Sequence, residues 1–184
     1  MNRYLQPGAT LKNPDDQSGE YRIKNIIGTG TTCVVYLADF VSKNGVDTEH
    51  ILKEYNPRTI PLDRSEDGSL LTRSEKDEVA FKSGLVRFTE GIEKQAKVRR
   101  ECSELKNSTS NIQSTFETNQ TYYVDMTPME GQSYDKVTET SLYDLLRRMY
   151  AITKVVKSYH DQGLLHLDIK PENIFALSDT VEMV

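Results

Sequence analysis

The chain has 184 residues, of which 28% are charged, and its formal net charge is −5. A chain of this length can bury a hydrophobic core of its own. The acidic balance argues against a nucleic-acid-binding surface, and no apolar stretch approaches the roughly 20 residues that span a bilayer.

The remaining compositional signals predict a cytoplasmic protein without a membrane segment. The N-terminus has no apolar stretch of the kind that marks a signal peptide. The two cysteines, Cys33 and Cys102, are far apart and lack metal-like spacing, so we expect free thiols. One local basic run would be a solvated helix face: Lys94, Lys97, Arg99 and Arg100.

The N-terminal third predicts a polar leader followed by an antiparallel meander. Residues 1–20 are polar and contain Pro7 and Pro14, so we expect them to pack loosely. Residues 21–28 and 33–40 are rich in β-branched and aromatic residues and flank a glycine-bearing turn. Residues 49–55 predict the next strand.

The middle of the chain predicts a loop, a helix and a hairpin. Residues 57–74 are polar and charged, which favours an exposed loop. Helix-forming composition runs from Glu75 to about residue 105, with Gly84 and Gly91 as possible interruptions. Residues 111–116 and 121–127 then predict a hairpin that completes a five-stranded sheet.

A long amphipathic helix is predicted after residue 141. Ser141 and Asp144 have the spacing of a capping box at its start. Its apolar residues recur at helical spacing, which favours core packing: Leu142, Leu145, Leu146, Met149, Ile152, Val156 and Tyr159.

Three motifs carry the chemistry. Residues 27–36 read IGTGTTCVVY, residues 51–53 read ILK, and residues 166–173 read HLDIKPEN. Taken singly, each has a structural explanation: a glycine-bearing hairpin turn, a surface lysine on an edge strand, and a polar turn after a helix. Their occurrence in this order along one chain argues against these three separate structural explanations.

In that order the motifs resemble those of the eukaryotic-type serine/threonine protein kinase family. The resemblance covers nearly the whole chain from Tyr21 onward. It implies an α+β, protein-kinase-like fold with a five-stranded antiparallel small lobe, one helix, and the first, helical part of a large lobe. The domains would be residues 1–20 as leader, 21–127 as small lobe, and 128–184 as hinge and incomplete large lobe.

The resemblance also implies roles in phosphoryl transfer. Asp168 would accept the proton of a substrate hydroxyl, Lys170 would stabilise charge on the γ-phosphate, and Asn173 would bind Mg²⁺. Lys53 would contact the α- and β-phosphates. The remaining ATP-binding residues would be Ile27, Gly28, Gly30, Val35, Ile51, Thr127 and Met129, with Met126 at the gatekeeper position.

The sequence offers more than one candidate for one residue of the family pattern. Kinases pair the strand lysine with a glutamate of the following helix, and Glu90, Glu93 and Glu101 are the candidates. Glu101 fits best, because Leu105 follows four residues later.

Four departures from the family pattern bear on activity. Cys33 replaces the third glycine of the loop, and Ile51 stands where a small alanine is usual. Leu167 replaces the arginine that reads a phosphorylated activation loop. No D-F-G follows Asn173 within the sequence, so we expect the chain by itself to be inactive or nearly so.

The sequence therefore predicts a serine/threonine kinase that uses ATP and Mg²⁺ on a protein substrate. The alternative is a nucleotide-binding or scaffolding pseudokinase. A third possibility is a product of an interrupted reading frame without function.

Overall fold

The structure, a computed structural model, describes residues 3–101, 111–129, 131–138, 141–176 and the backbone of 181–183. The chain divides into two units. The first contains Met1–Ile92 and Ile112–Pro128, and the second contains Glu93–Asn111 and Met129–Val184.

The first unit is built on a six-stranded antiparallel sheet in the order β1-β2-β3-β4-β8-β7. Five of these strands are those the sequence predicts. The sixth, β1, comes from the N-terminal residues. The bounds are β1 Thr10–Leu11, β2 Gly19–Thr29, β3 Cys33–Ser42, β4 Asp47–Tyr55, β7 Ile112–Thr118 and β8 Thr121–Met126.

The expectation that residues 1–20 pack loosely was wrong for the described part of that segment. The side chains of Leu5 and Leu11 are 5% and 3% exposed, and they join the buried cluster that contains Tyr36 and Leu52. Two isolated leucines make no periodic pattern in the sequence. Their burial follows from the apolar sheet face that they cover.

The predicted exposed loop over residues 57–74 was also wrong. Strands β5 Leu62–Arg64 and β6 Leu70–Thr72 form a two-stranded hairpin within it. Ile60, Leu62 and Leu70 are buried against Tyr55 and Phe81. Short apolar stretches between charged turns gave no strand signal, but their side chains still reach the core.

Helix α1, Glu75–Glu101, begins where the sequence predicts and runs through both glycines. The Ser74 hydroxyl accepts a hydrogen bond from the Asp77 amide at 3.2 Å, which caps the helix. Gly84 permits close packing, because a Cβ there would lie 2.1 Å from the Tyr55 hydroxyl oxygen. The predicted end near residue 105 lies outside the described residues.

The sheet buries side chains on both faces. Alternation along β4 sends Leu52 and Glu54 to the face covered by Leu5 and Leu11, and Ile51 and Tyr55 to the face covered by α1. Lys53 therefore belongs to the α1 face.

The second unit centres on helix α2, Leu142–Asp161. The Ser141 hydroxyl accepts from the Asp144 amide at 3.1 Å, which confirms the predicted cap. A three-stranded antiparallel sheet in the order β11-β10-β9 accompanies the helix. Its strands and the two short 3₁₀ helices are β9 Gln132–Ser133, Tyr134–Lys136, Pro171–Asn173, β10 Ile174–Ala176 and β11 Val181–Met183.

The predicted core stripe of α2 is buried only in its C-terminal half. Ile152 and Tyr159 pack with Val98 and Ile174. In the N-terminal half, large apolar side chains remain exposed: Leu142, Leu145, Leu146 and Met149. Within the described residues, every helix is too polar or too short to span a bilayer.

Candidate functional site

Three predicted site residues form one row across the sheet of the first unit. Gly28 on β2 pairs with Val35 on β3, and Val35 pairs with Lys53 on β4. Ile51 on the same strand pairs with Met126 at the end of β8. Antiparallel register thus brings together residues that are far apart in sequence.

The glycine-bearing turn joins β2 to β3. The Gly30 amide donates to the Cys33 carbonyl at 2.8 Å, which closes the turn. A Cβ on Gly28 would lie 3.9 Å from Val35 Cβ, and one on Gly30 would lie 3.6 Å from the Cys33 oxygen. Both are ordinary contacts and neither glycine has a positive φ, so chain packing does not require glycine at either position.

Lys53 is half-buried in the centre of β4. Burial raises the pKa of the neighbouring Cys33 thiol, and the positive charge of Lys53 partly opposes that increase. The lysine charge therefore acts at the end of the glycine-bearing turn.

The other predicted nucleotide contacts differ in their exposure. Ile27 is 50% exposed, and Thr127 is exposed directly after β8. Ile51 is buried against Val124 and Met126. Met129 is half-buried and belongs to the second unit.

Helix α1 presents apolar side chains to the sheet. Ile92 packs with Ile51 and Met126, and Phe88 lies one turn earlier on the same face. Glu90 is exposed. Of the other two candidate glutamates, Glu93 is exposed and Glu101 lies 3.8 Å from Lys97 with a half-exposed side chain. Pairing of Lys53 with a glutamate stays a prediction.

In the second unit, three polar residues of the HLDIKPEN motif contact one another: Asp168, Lys170 and Asn173. Lys170 Nζ lies 2.9 Å from Asp168 Oδ2. Asn173 Nδ2 donates to Asp168 Oδ2 at 2.8 Å and to the Asp168 carbonyl at 2.9 Å. The 3₁₀ turn Pro171–Asn173 sets this geometry, since the Asn173 amide donates to the Lys170 carbonyl at 3.0 Å.

The electrostatics of this group favour an ionised carboxylate. The hydrogen bonds from Lys170 and then Asn173 hold the pKa of Asp168 below its usual value. The Asp168 side chain is 64% exposed, so an incoming hydroxyl can reach it. The preceding residue, Leu167, is 86% exposed and has φ of 62°, a strained backbone for a leucine.

Sequence reasoning missed the contacts that hold the tip of the glycine-bearing turn. The Asn56 amide donates to the Thr32 carbonyl at 3.0 Å, and the Arg58 amide donates to the Thr31 carbonyl at 2.8 Å. Arg58 lies in the segment predicted to be an exposed loop, and Asn56 directly precedes that segment. No sequence signal points to either donor.

Comparison with known proteins identifies the family and the fold. The family model described as protein kinase domain matches residues 69–183. The solved structure titled PpkA-294 apo form has a TM-score of 0.74 and 20% identity, and the match covers 100% of this chain and 61% of that one. No curated protein sequence matched. The chain spans about three fifths of that solved relative and belongs to the protein kinase domain family.

Proposed function

We propose that this chain is part of a serine/threonine kinase that transfers the γ-phosphoryl group of Mg-ATP to a protein hydroxyl. The observation that carries the proposal is the hydrogen-bonded group of Asp168, Lys170 and Asn173. Phosphoryl transfer depends mostly on positioning and charge stabilisation, and this group supplies an exposed carboxylate beside a cation and an amide.

Asp168 would orient the substrate hydroxyl and accept its proton. Its lowered pKa keeps it in the charged form that accepts hydrogen bonds at neutral pH. Lys170 lies close enough to place a positive charge near the reacting oxygens. A lysine two residues after the base is typical of the serine/threonine branch of the family, and this supports a serine or threonine acceptor.

The residues of the first unit fit the phosphate groups of a nucleotide. When bound, Mg-ATP supplies the transferred phosphoryl group and a metal charge that neutralises its oxygens. Gly28 and Gly30 leave the backbone open without a packing reason of their own, which supports close approach of a ligand. Lys53 lies in the same row of the sheet and would hold the α- and β-phosphates.

The metal would be held in part by Asn173. Both of its hydrogen bonds to Asp168 use Nδ2, so neither uses the amide oxygen, the atom type that Mg²⁺ prefers. Among the described residues, no group of three or more His, Cys, Asp or Glu side chains could hold a metal ion. Further ligands would have to come from the nucleotide phosphates and from a D-F-G aspartate that residues 1–184 do not contain.

A pseudokinase is the second candidate. It is favoured by the face of α1 toward the sheet, where Phe88 and Ile92 pack and Glu90 points to solvent. Without a glutamate partner, Lys53 would bind phosphates less effectively. Such a protein would bind ATP without transferring phosphate.

The test is transfer of label from γ-labelled ATP by a protein extended past Val184 to include the rest of the domain. We expect label on serine or threonine, and a loss of about a hundredfold or more in Lys53→Met. Lys24→Met is the matched control, because Lys24 forms surface ion pairs with Asp39 and Glu49. Label on tyrosine would contradict the acceptor assignment, and ATP binding without any transfer would favour the pseudokinase.

A further inference from the structure

The segment that follows β4 holds the tip of the glycine-bearing turn. The tip residues Thr31 and Thr32 are exposed, but their carbonyl oxygens accept from the Arg58 amide at 2.8 Å and the Asn56 amide at 3.0 Å. The position of the tip therefore depends on where residues 56–60 are placed.

Arg3 clamps this same segment with its whole guanidinium group. Nε donates to Asn56 Oδ1 at 2.7 Å, Nη2 donates to the Pro57 carbonyl at 2.7 Å, and Nη1 donates to the Ile60 carbonyl at 3.4 Å. A planar group with fixed donor directions specifies the geometry of three acceptors at once.

Arg3 is itself anchored to a buried charged group. Its carbonyl oxygen accepts from Arg64 Nε at 2.9 Å, and Arg64 Nη2 contacts both carboxylate oxygens of Glu54 at 2.6 and 2.8 Å. Glu54 is fully buried and also accepts from the hydroxyls of Tyr36 and Tyr123. The clamp is thus attached to the rigid interior of the sheet.

We propose that Arg3 is a positioning residue for nucleotide binding, because it fixes residues 56–60 and through them the tip of the phosphate-binding turn. The proposal rests on the nucleotide-binding role proposed above for Gly28 and Gly30. Without the clamp, the segment carrying the two amide donors gains freedom and the tip spends less time in its binding position. The apparent affinity for the nucleotide falls in proportion to the fraction of time that the tip is in its binding position.

The first test measures amide hydrogen exchange of residues 1–184 by NMR, with no ligand present. In Arg3→Ala we expect the amides of Asn56 and Arg58 to exchange about tenfold faster or more. Arg73→Ala is the matched control, because it also removes two charged hydrogen bonds, those from the exposed Arg73 to the partly buried Asp63. Unchanged exchange at both amides in Arg3→Ala would overturn the proposal.

The second test compares two ligands by titration calorimetry. The turn is proposed to contact phosphates, so Arg3→Ala should weaken ATP binding about fivefold and leave adenosine binding unchanged. Arg3→Lys should recover part of the ATP affinity, because one ammonium can replace one of the three donors. Equal weakening of both ligands would indicate general structural damage and overturn the proposal.

The two tests separate this proposal from the proposed function. If the unaltered protein extended past Val184 binds no nucleotide, the proposed function fails. The exchange rates then still decide whether Arg3 controls the turn: faster exchange in Arg3→Ala alone supports it, and equal exchange overturns it.

Discussion

Asp168 shows how neighbouring donors set the charge state of a proposed catalytic group. Lys170 and Asn173 both donate to its carboxylate, which holds the pKa of Asp168 below its usual value. Proton acceptance needs the carboxylate. Activity should therefore be present above that lowered pKa and be lost as pH falls through it.

Lys170→Met removes the larger cause of the lowered pKa. In the extended protein we expect the acid limb of the kcat/KM profile to move to higher pH, measured against Lys157→Met. Lys157 is a suitable control, because it pairs with the exposed Asp161 on α2. An acid limb that stays in place in Lys170→Met would contradict this account of Asp168.

The reactivity of the Cys33 thiol tests whether Lys53 lies beside the glycine-bearing turn. Burial raises the pKa of the Cys33 thiol, so its thiolate fraction at neutral pH is smaller than that of a free cysteine. In a Cys102→Ser background, the rate of alkylation by iodoacetamide should be low at neutral pH. This rate should continue to increase above the pH at which the rate for the unfolded protein reaches its plateau. Lys53→Met removes the opposing charge and should raise the pKa further. A lowered pKa in that variant would contradict the placement of Lys53 beside the turn.

At the level of elements, the N-terminal segment is part of the fold of the first unit. Leu5 is buried in the main cluster, and its amide donates to the Tyr36 hydroxyl at 3.2 Å. Leu5→Ala should lower the free energy of unfolding by about 2–4 kcal/mol, measured by urea denaturation of residues 1–184. Gln6→Ala, at an exposed position, is the control. Equal denaturation midpoints for the two variants would contradict the burial of this segment.

At the scale of the whole molecule, the N-terminal half of α2 leaves large apolar side chains exposed to solvent. Leu142, Leu146 and Met149 are 70%, 59% and 48% exposed. Exposed apolar patches promote self-association. Leu146→Gln should therefore reduce self-association in sedimentation at high concentration, while the free energy of unfolding changes by about 0.5 kcal/mol or less. Undiminished self-association would show that this face is not responsible.

The sequence predicted those elements whose signals are local. The strand pattern around Gly28 and Lys53 and the Ser141 cap of α2 were confirmed. The burial of Leu5 and the hairpin within residues 57–74 were missed, because distant parts of the sheet decide them. Likewise, spacing within α1 did not show that Phe88 and Ile92 rather than Glu90 face the sheet, since that depends on how the helix packs.

The most direct test of the central claim compares Asp168→Asn with Asp161→Asn in the extended protein, by the rate of phosphate transfer at saturating Mg-ATP. Asp161 is exposed at the end of α2 and serves as the matched control. The account predicts a fall in kcat of about 10²- to 10⁴-fold for Asp168→Asn, with KM for ATP nearly unchanged, and no loss for Asp161→Asn. A kcat for Asp168→Asn close to that of the unaltered protein would contradict the assignment of Asp168 as the base.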